Sequence, residues 1–361
     1  MNMKNILLLL LVILSCASQN SRKSEPVLFN LKDENKVFLS SKIILKDSLK
    51  LPMRLAVDAV NDKIFLTSAN HKKWFRVYDA KTGFFINDFG VKGQGPGEIM
   101  NATELQFFED MDKVFVHDLT QRKVTSFSLS EIYKGSRISA VNSYSLDKTR
   151  TFYPKFVGED VFVDLISSYS GDTEHRLQRI NGINQRVVKK GGKYPQMAYP
   201  KQSEMHKSEI FTAFMNTNRF ANHFVLAYGY TDYIDVFDRD FNHISSIKGS
   251  EGFLPLLKAS TNEGATSVMP QKDSRLAFTI PAVGEDKFYV LYDGRSTSTR
   301  DYHQKYLLSF DLKGTLLSYY ELDVPIFAFD IDWDDEVIYG LTHEHPDNSV
   351  EVAVVAFDLN K

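Results

Sequence analysis

The sequence contains a single cysteine, Cys16, so no intrachain disulfide can form. It contains no Gly-x-Ser-x-Gly elbow and no Walker loop ending in Gly-Lys-Ser or Gly-Lys-Thr, which removes the local signatures of acyl and phosphoryl transfer. A triad built from distant residues stays open. An excess of charge of one sign is missing too: 43 Lys and Arg stand against 46 Asp and Glu, a formal net charge of −3. Nucleic-acid binding needs a basic face or stripe, and nothing here supplies one. The local run Lys189-Lys190-Gly191-Gly192-Lys193 reads as a solvated turn.

Long apolar stretches are equally scarce. The run Ile6 to Leu14 is too short to span a bilayer. With Lys4 before it and Ser15-Cys16 after it, the run reads as a secretory signal over residues 1–15. Beyond it no apolar stripe at helical spacing lasts three turns, although Ser203 to Phe214 offers a short helix, whereas alternation rich in aromatic and β-branched residues is frequent.

What is present is a repeat. A short turn rich in Asp, Glu or Asn precedes an apolar strand six times: Asn61-Asp62-Lys63, Met111-Asp112-Lys113, Gly158-Glu159-Asp160, Ala221-Asn222-His223, Gly284-Glu285-Asp286-Lys287 and Asp334-Asp335-Glu336. In phase with it, an apolar residue followed by Asp, Asn or Ser closes a later strand: Tyr78-Asp79, Phe127-Ser128, Ile180-Asn181, Phe237-Asp238, Phe310-Asp311 and Phe357-Asp358. Such side chains bond the backbone just ahead and favour a tight turn.

Each copy therefore reads as two hairpins that cannot bury their apolar faces alone and must stack. This predicts an all-β, six-bladed β-propeller with four-stranded antiparallel blades over residues 41–361; an irregular β-sandwich is the competing reading. The last copy stops soon after Phe357-Asp358, short of its outermost strand, and Ser41 to Asp47 is expected to supply it, closing the ring. Residues 16–40 are then a tether. Val187 to Arg219 and Gly249 to Leu276 exceed the blade plan, which makes them the first places to look for a ligand.

Between two copies lies Gly93-Gln94-Gly95-Pro96-Gly97-Glu98. A dinucleotide fingerprint fails here because Glu98 stands where a third glycine is required. The glycines and proline suit a tight blade-to-blade crossover, with Glu98 accepting hydrogen bonds from backbone N–H groups of the turn. The order Ile13-Leu14-Ser15-Cys16 resembles the lipobox of bacterial lipoproteins, which implies that Cys16 carries the lipid.

The Gly93–Glu98 turn, the preceding Val77-Tyr78-Asp79-x-x-Thr82-Gly83, the lipobox and the closing Ile338-Tyr339-Gly340-Leu341-Thr342 together resemble the TolB-like six-bladed propeller lipoproteins of Gram-negative envelopes. The resemblance implies a lipid-anchored protein of the cell envelope and brings no shared catalytic residues. Because no acidic cluster follows Cys16, the outer membrane with the domain facing the periplasm is the expected place.

No catalytic residue, metal site or cofactor is assigned. Asp330-x-Asp332-x-Asp334 starts like a calcium loop, but Asp335 and Leu341 occupy the positions of the required Gly and Glu, so it reads as a polar hairpin turn. His343-Glu344-His345 lacks helical zinc spacing and runs into Pro346. The leading reading is a non-catalytic binding or scaffold module acting through the channel face and loops. Arg54, Lys155 and Arg275, next to the inner strands, are its binding candidates. Its expected partners are the membrane, through the lipid, and an envelope protein, peptide or glycan, with Tyr194 to Pro200 as a protein contact. A metal-dependent hydrolase or lyase working in the central channel is the alternative.

Overall fold

A computed structural model describes residues 25–360 except 33–35, 47–48, 50, 136, 147–150, 152, 167–171, 196–206, 263–264, 299–303, 335 and 344–351. The signal, the start of the tether and Cys16 lie outside the described residues. The chain forms six antiparallel sheets arranged as a six-bladed propeller. From the channel outward, blade 1 is Pro52–Asp58, Lys63–Ser68, Lys73–Asp79 and Phe85–Val91. Blade 2 is Ala102–Phe108, Lys113–Asp118, Lys123–Ser128 and Asn142–Ser145, and blade 3 is Lys155–Gly158, Val161–Leu165, His175–Asn181 and Arg186–Lys193. Blade 4 is Ala213–Thr217, His223–Tyr228, Tyr233–Asp238 and His243–Gly249. Blade 5 is Ala282–Val283, Lys287–Tyr292, Gln304–Asp311 and Leu316–Ile326, and blade 6 begins with Ala328–Asp332, Val337–Thr342 and Ala353–Asp358.

The six turn residues named from sequence end the third strand of each blade, and every one accepts a backbone N–H just ahead. Asp79 takes that of Thr82 at 2.9 Å, Asn181 that of Asn184 at 3.0 Å and Asp238 that of Asp240 at 2.8 Å. Asp311 takes Thr315 at 2.7 Å and Asp358 takes Asn360 at 2.9 Å. Ser128 does the same for Glu131 at 3.2 Å, but there the chain enters a short helix, Leu129–Tyr133, before the outer strand. A side-chain acceptor at a strand end thus sets each turn locally.

Ser41–Leu45 pairs antiparallel with Ala353–Asp358 and completes blade 6, as the sequence predicts. The expected tether needs correction. Within it Val27–Phe29 adds a fifth, parallel strand to the outer edge of blade 4, and Lys36–Leu39 does the same on blade 5. The reason is burial: Phe29 and Leu39 are removed from solvent, and the Phe29 ring lies 5.6 Å from Phe310 and 6.2 Å from Tyr292. The N-terminal segment is therefore a belt that crosses the edges of blades 4, 5 and 6 before entering blade 1.

Among the described residues the apolar core divides by gap. Val57, Leu66, Tyr339 and Val354 fill the gap between blades 6 and 1, and Phe65, Phe89, Val114 and Phe127 the gap between blades 1 and 2. Equivalent clusters occupy the other four gaps. The Gly93–Glu98 crossover folds as expected, with the Gly95 N–H donating to Glu98 Oε2 at 2.8 Å and Gly97 at φ +74°. A Cβ on Gly93 would lie 2.0 Å from that carboxylate oxygen, so any larger residue there would displace the Glu98 side chain from the turn. The first surplus stretch continues blade 3 through Lys193 and then makes one helical turn, Lys207–Ile210; the second forms a separate hairpin, Leu257–Asn262 with Ala265–Pro270.

Candidate functional site in the central channel

The innermost strands of a propeller have short side chains or polar ones toward the axis, because no further blade is there to bury an apolar face. Here they enclose a cavity of about 920 Å³. Every blade contributes a polar side chain to its lining: Arg54, Glu104, Lys155, Asn218, Thr279 and Asp330, in blade order. Two of the three residues nominated from sequence, Arg54 and Lys155, lie in this lining.

The two differ in how they are held. Lys155 Nζ donates to Glu104 Oε1 at 2.6 Å, and both side chains are nearly enclosed, at 4% and 12% exposure. This pair crosses from blade 3 to blade 2. Removing either partner would strand a buried charge, a loss typically worth about 3–5 kcal/mol. Arg54 donates to the Thr103 carbonyl of blade 2, and its guanidinium sits 5.3 Å from the Tyr153 ring centroid.

Further links tie neighbours together around the axis. Gln106 exchanges two hydrogen bonds of 2.8 Å with the backbone of Phe156, Asn216 donates to the Pro281 carbonyl at 2.7 Å, and Asp330 accepts from Val57 N–H at 2.9 Å. Polar atoms are left over as well. Asn218 is 2% exposed, its Oδ1 accepts from Asn222 N–H at 2.9 Å, and its Nδ2 has no partner; the same holds for Thr279 Oγ1.

Arg275, the third nominee, is not in the channel. Its guanidinium is forked onto Glu251, donates to the Gly294 carbonyl at 2.7 Å and covers Phe253 at 4.2 Å. Blade 5 has an inner strand of only two residues, so a position upstream of it falls on the rim. The two surplus stretches likewise leave the channel to the inner strands, apart from Phe214 and Asn216 to Arg219. Tyr194 is buried, with Arg176 4.9 Å from its ring, so it is core and not an exposed anchor, while 196–200 lie outside the described residues.

Of the Asp330-x-Asp332-x-Asp334 carboxylates, Asp330 and Asp334 line the cavity, while Asp332 accepts from Asp334 N–H at 3.1 Å in the hairpin turn. Among the described residues no group of three His, Cys, Asp or Glu is placed to hold a metal ion. His117 is a neutral imidazole between Thr103 and Thr151, pushed down to about 4 by burial. Sequence reasoning did not single out Glu104, Asn218 or Thr279; their one signal is a polar residue at or beside an otherwise apolar inner strand.

The family model described as TolB-like 6-blade propeller-like matches residues 29–334. Among solved structures, the chain is similar to a member of the duf4221 family from Bacteroides vulgatus ATCC 8482, with TM-score 0.56 and 10% identity over 90% of this chain and 98% of that one. It is similar to a protein of Bacteroides fragilis NCTC 9343 at TM-score 0.56 and 11% identity, over 92% of this chain and 99% of that one. Identities this low establish the fold alone. No curated protein matches the sequence.

Burial raises two carboxyls of the lining, Glu109 and Asp330, and Asp330 the further. Asp330 lines the channel, and burial pushes its carboxyl up to about 6. The N–H groups of Val57 and Ile331 and the charge of Lys155 oppose that rise, and Glu104 adds to it. The folded state thus holds the proton more tightly than the unfolded chain, so Asp330 favours folding below the ordinary aspartate range. That contribution is lost as pH climbs to about 6. With allowance for water in the channel, the loss is on the order of 2 kcal/mol. In urea unfolding from pH 4 to 7.5, wild type should lose this much stability relative to Asp330→Asn; parallel pH profiles would contradict the assignment.

Proposed function

This chain belongs to the TolB-like 6-blade propeller family, and from that premise we propose that it is a non-catalytic binding module that takes its ligand into the central channel. One observation carries the reading: each of the six blades contributes a polar side chain to the lining of one cavity of about 920 Å³, Arg54 among them. A cavity of that volume falls in the range, roughly 300–1,000 Å³, that accommodates a small molecule. Apolar walls from Phe107, Phe214 and Trp333 add area for a ligand to bury. The ligand class is a short peptide or a glycan, met in the cell envelope.

The location is part of the proposal. Cys16, following the apolar run and the Leu14-Ser15 dipeptide, is the lipid attachment point, and the outer membrane, with the propeller in the periplasm, is the place proposed. A single acyl chain binds a bilayer only marginally, so the several chains of a bacterial lipoprotein are required for stable anchoring. Labelled palmitate should be incorporated into wild type and not into Cys16→Ser, which should move from the membrane to the soluble fraction of a Gram-negative host. A Cys16→Ser protein that still sediments with membranes would remove the anchor.

The channel itself is tested by thermal shift of the protein lacking residues 1–16 against envelope peptides and oligosaccharides. A ligand present at 100 times its Kd adds about 2.7 kcal/mol to stability. That gain should disappear in Arg54→Ala and persist in Arg275→Ala, whose side chain is on the rim. A ligand indifferent to Arg54 and dependent on Arg275 would move the site out of the channel, and a panel without a single stabilising member would end the reading.

A further inference from the structure

The edge strands of sheets are ordinarily protected by charge, and the outermost strand of blade 3, Arg186–Lys193, follows that rule with four Lys or Arg among its eight residues. The two belt strands do not. Val27–Phe29 and Lys36–Leu39 form the outermost edges of blades 4 and 5, and six of their seven residues are apolar. Phe29 and Leu39 are buried, but Val27 is 39%, Leu28 70%, Val37 45% and Phe38 62% exposed. The one charge, on Lys36, is neutralised by Glu321 at 2.7 Å. Leu317, itself exposed, lies just before the residues of blade 5 with which Lys36–Leu39 pairs. Single exposed apolar side chains are ordinary on a protein surface, whereas four among seven edge residues of two adjacent blades mark a contact face.

We propose that this edge of blades 4 and 5 is the face that rests on the membrane, with Leu28 and Phe38 inserted at the boundary between headgroups and acyl chains. The inference rests on Cys16 carrying the lipid. Val27 follows Cys16 by eleven residues, a span of at most about 40 Å when fully extended. The bilayer that holds the anchor is therefore within one short tether of the apolar edge, while blade 1 lies across the axis from blade 4. Charge agrees, because neither belt strand has an acidic residue for anionic phospholipid to repel. At headgroup depth the unpaired N–H and C=O groups of an edge strand stay in reach of water while its apolar side chains meet the acyl chains. Contact through the outer wall, in place of either end of the ring, leaves both mouths of the channel open to a ligand.

Cys16 is the only cysteine and lipidation takes its thiol, so a cysteine introduced elsewhere is the single site for a polarity-sensitive fluorophore. The full lipidated chain is reconstituted on vesicles of phosphatidylethanolamine and phosphatidylglycerol that carry a lipid with its quencher near the headgroup. A probe at Leu28→Cys or Phe38→Cys should shift to the blue and lose fluorescence to the quencher. A probe at Phe84→Cys, which is 74% exposed on blade 1, should do neither. Leu28→Asp combined with Phe38→Asp changes exposed side chains only, so that protein should still float with the vesicles through its lipid, yet a probe at Val37→Cys should no longer be quenched. Quenching that is equal at all three positions, or absent from all, in protein that floats with vesicles would overturn the docking face and leave the anchor standing. Quenching at Phe84→Cys alone would turn the opposite side of the ring to the membrane and overturn it too. A blue shift at Leu28→Cys and Phe38→Cys that grows with concentration in the Cys16→Ser chain, without vesicles, would assign the edge to a second copy instead. Wild type that fails to float with vesicles would take down the anchor, and this face with it.

Discussion

The structure depends on closing the ring. A propeller blade is stable only between two neighbours, because both of its faces are apolar, and an open array would leave one such face and one strand edge bare. Here the edge of Ala353–Asp358 is covered by Ser41–Leu45, arriving from the other end of the chain. The same segment brings Leu45 into the cluster shared by blades 6 and 1 with Val57, Tyr339 and Val354. Without that strand the gap would lose part of its core.

The belt extends this logic. Phe29, on a strand laid along blade 4, packs against Phe278, Tyr292 and Phe310 of the neighbouring blade 5, so one ring secures two blades. Burying an aromatic side chain of this kind contributes about 2–3 kcal/mol relative to exposure. The polar links around the axis act at shorter range. Asp330 on Val57, Arg54 on Thr103 and Gln106 on Phe156 hold successive inner strands at hydrogen-bonding distance, and the cavity inherits its shape from them. Fold and site are therefore not separate matters: residues that hold the blades together also line the channel.

Much of the fold is legible in the sequence because its signals are local. Asp79, Asn181, Asp238, Asp311 and Asp358 each need only an N–H two to four residues ahead, so their recurrence marks third-strand ends wherever they fall. Glu98 in the crossover is legible for the same reason. The belt is not, since Val27–Phe29 pairs with Ile247–Gly249 and no turn signal announces a partner more than two hundred residues away. The site is half legible. Arg54 and Lys155 follow from counting back along inner strands of ordinary length, but blade 5 reduces that strand to Ala282–Val283, and the count that nominates Arg275 fails there. Asn218 and Thr279 become notable only when the surroundings of each atom are known, which spacing along a chain does not convey.

Ring closure by the N-terminal strand is most directly tested by native-state hydrogen exchange on the full chain. If closure sets the stability of the whole ring, the amides of 41–45 and 353–358 exchange together, only through global unfolding, with the same free energy as the inner strands. Early exchange of 41–45 while blades 1 and 6 remain protected would show that the ring stands without that strand and would contradict the account.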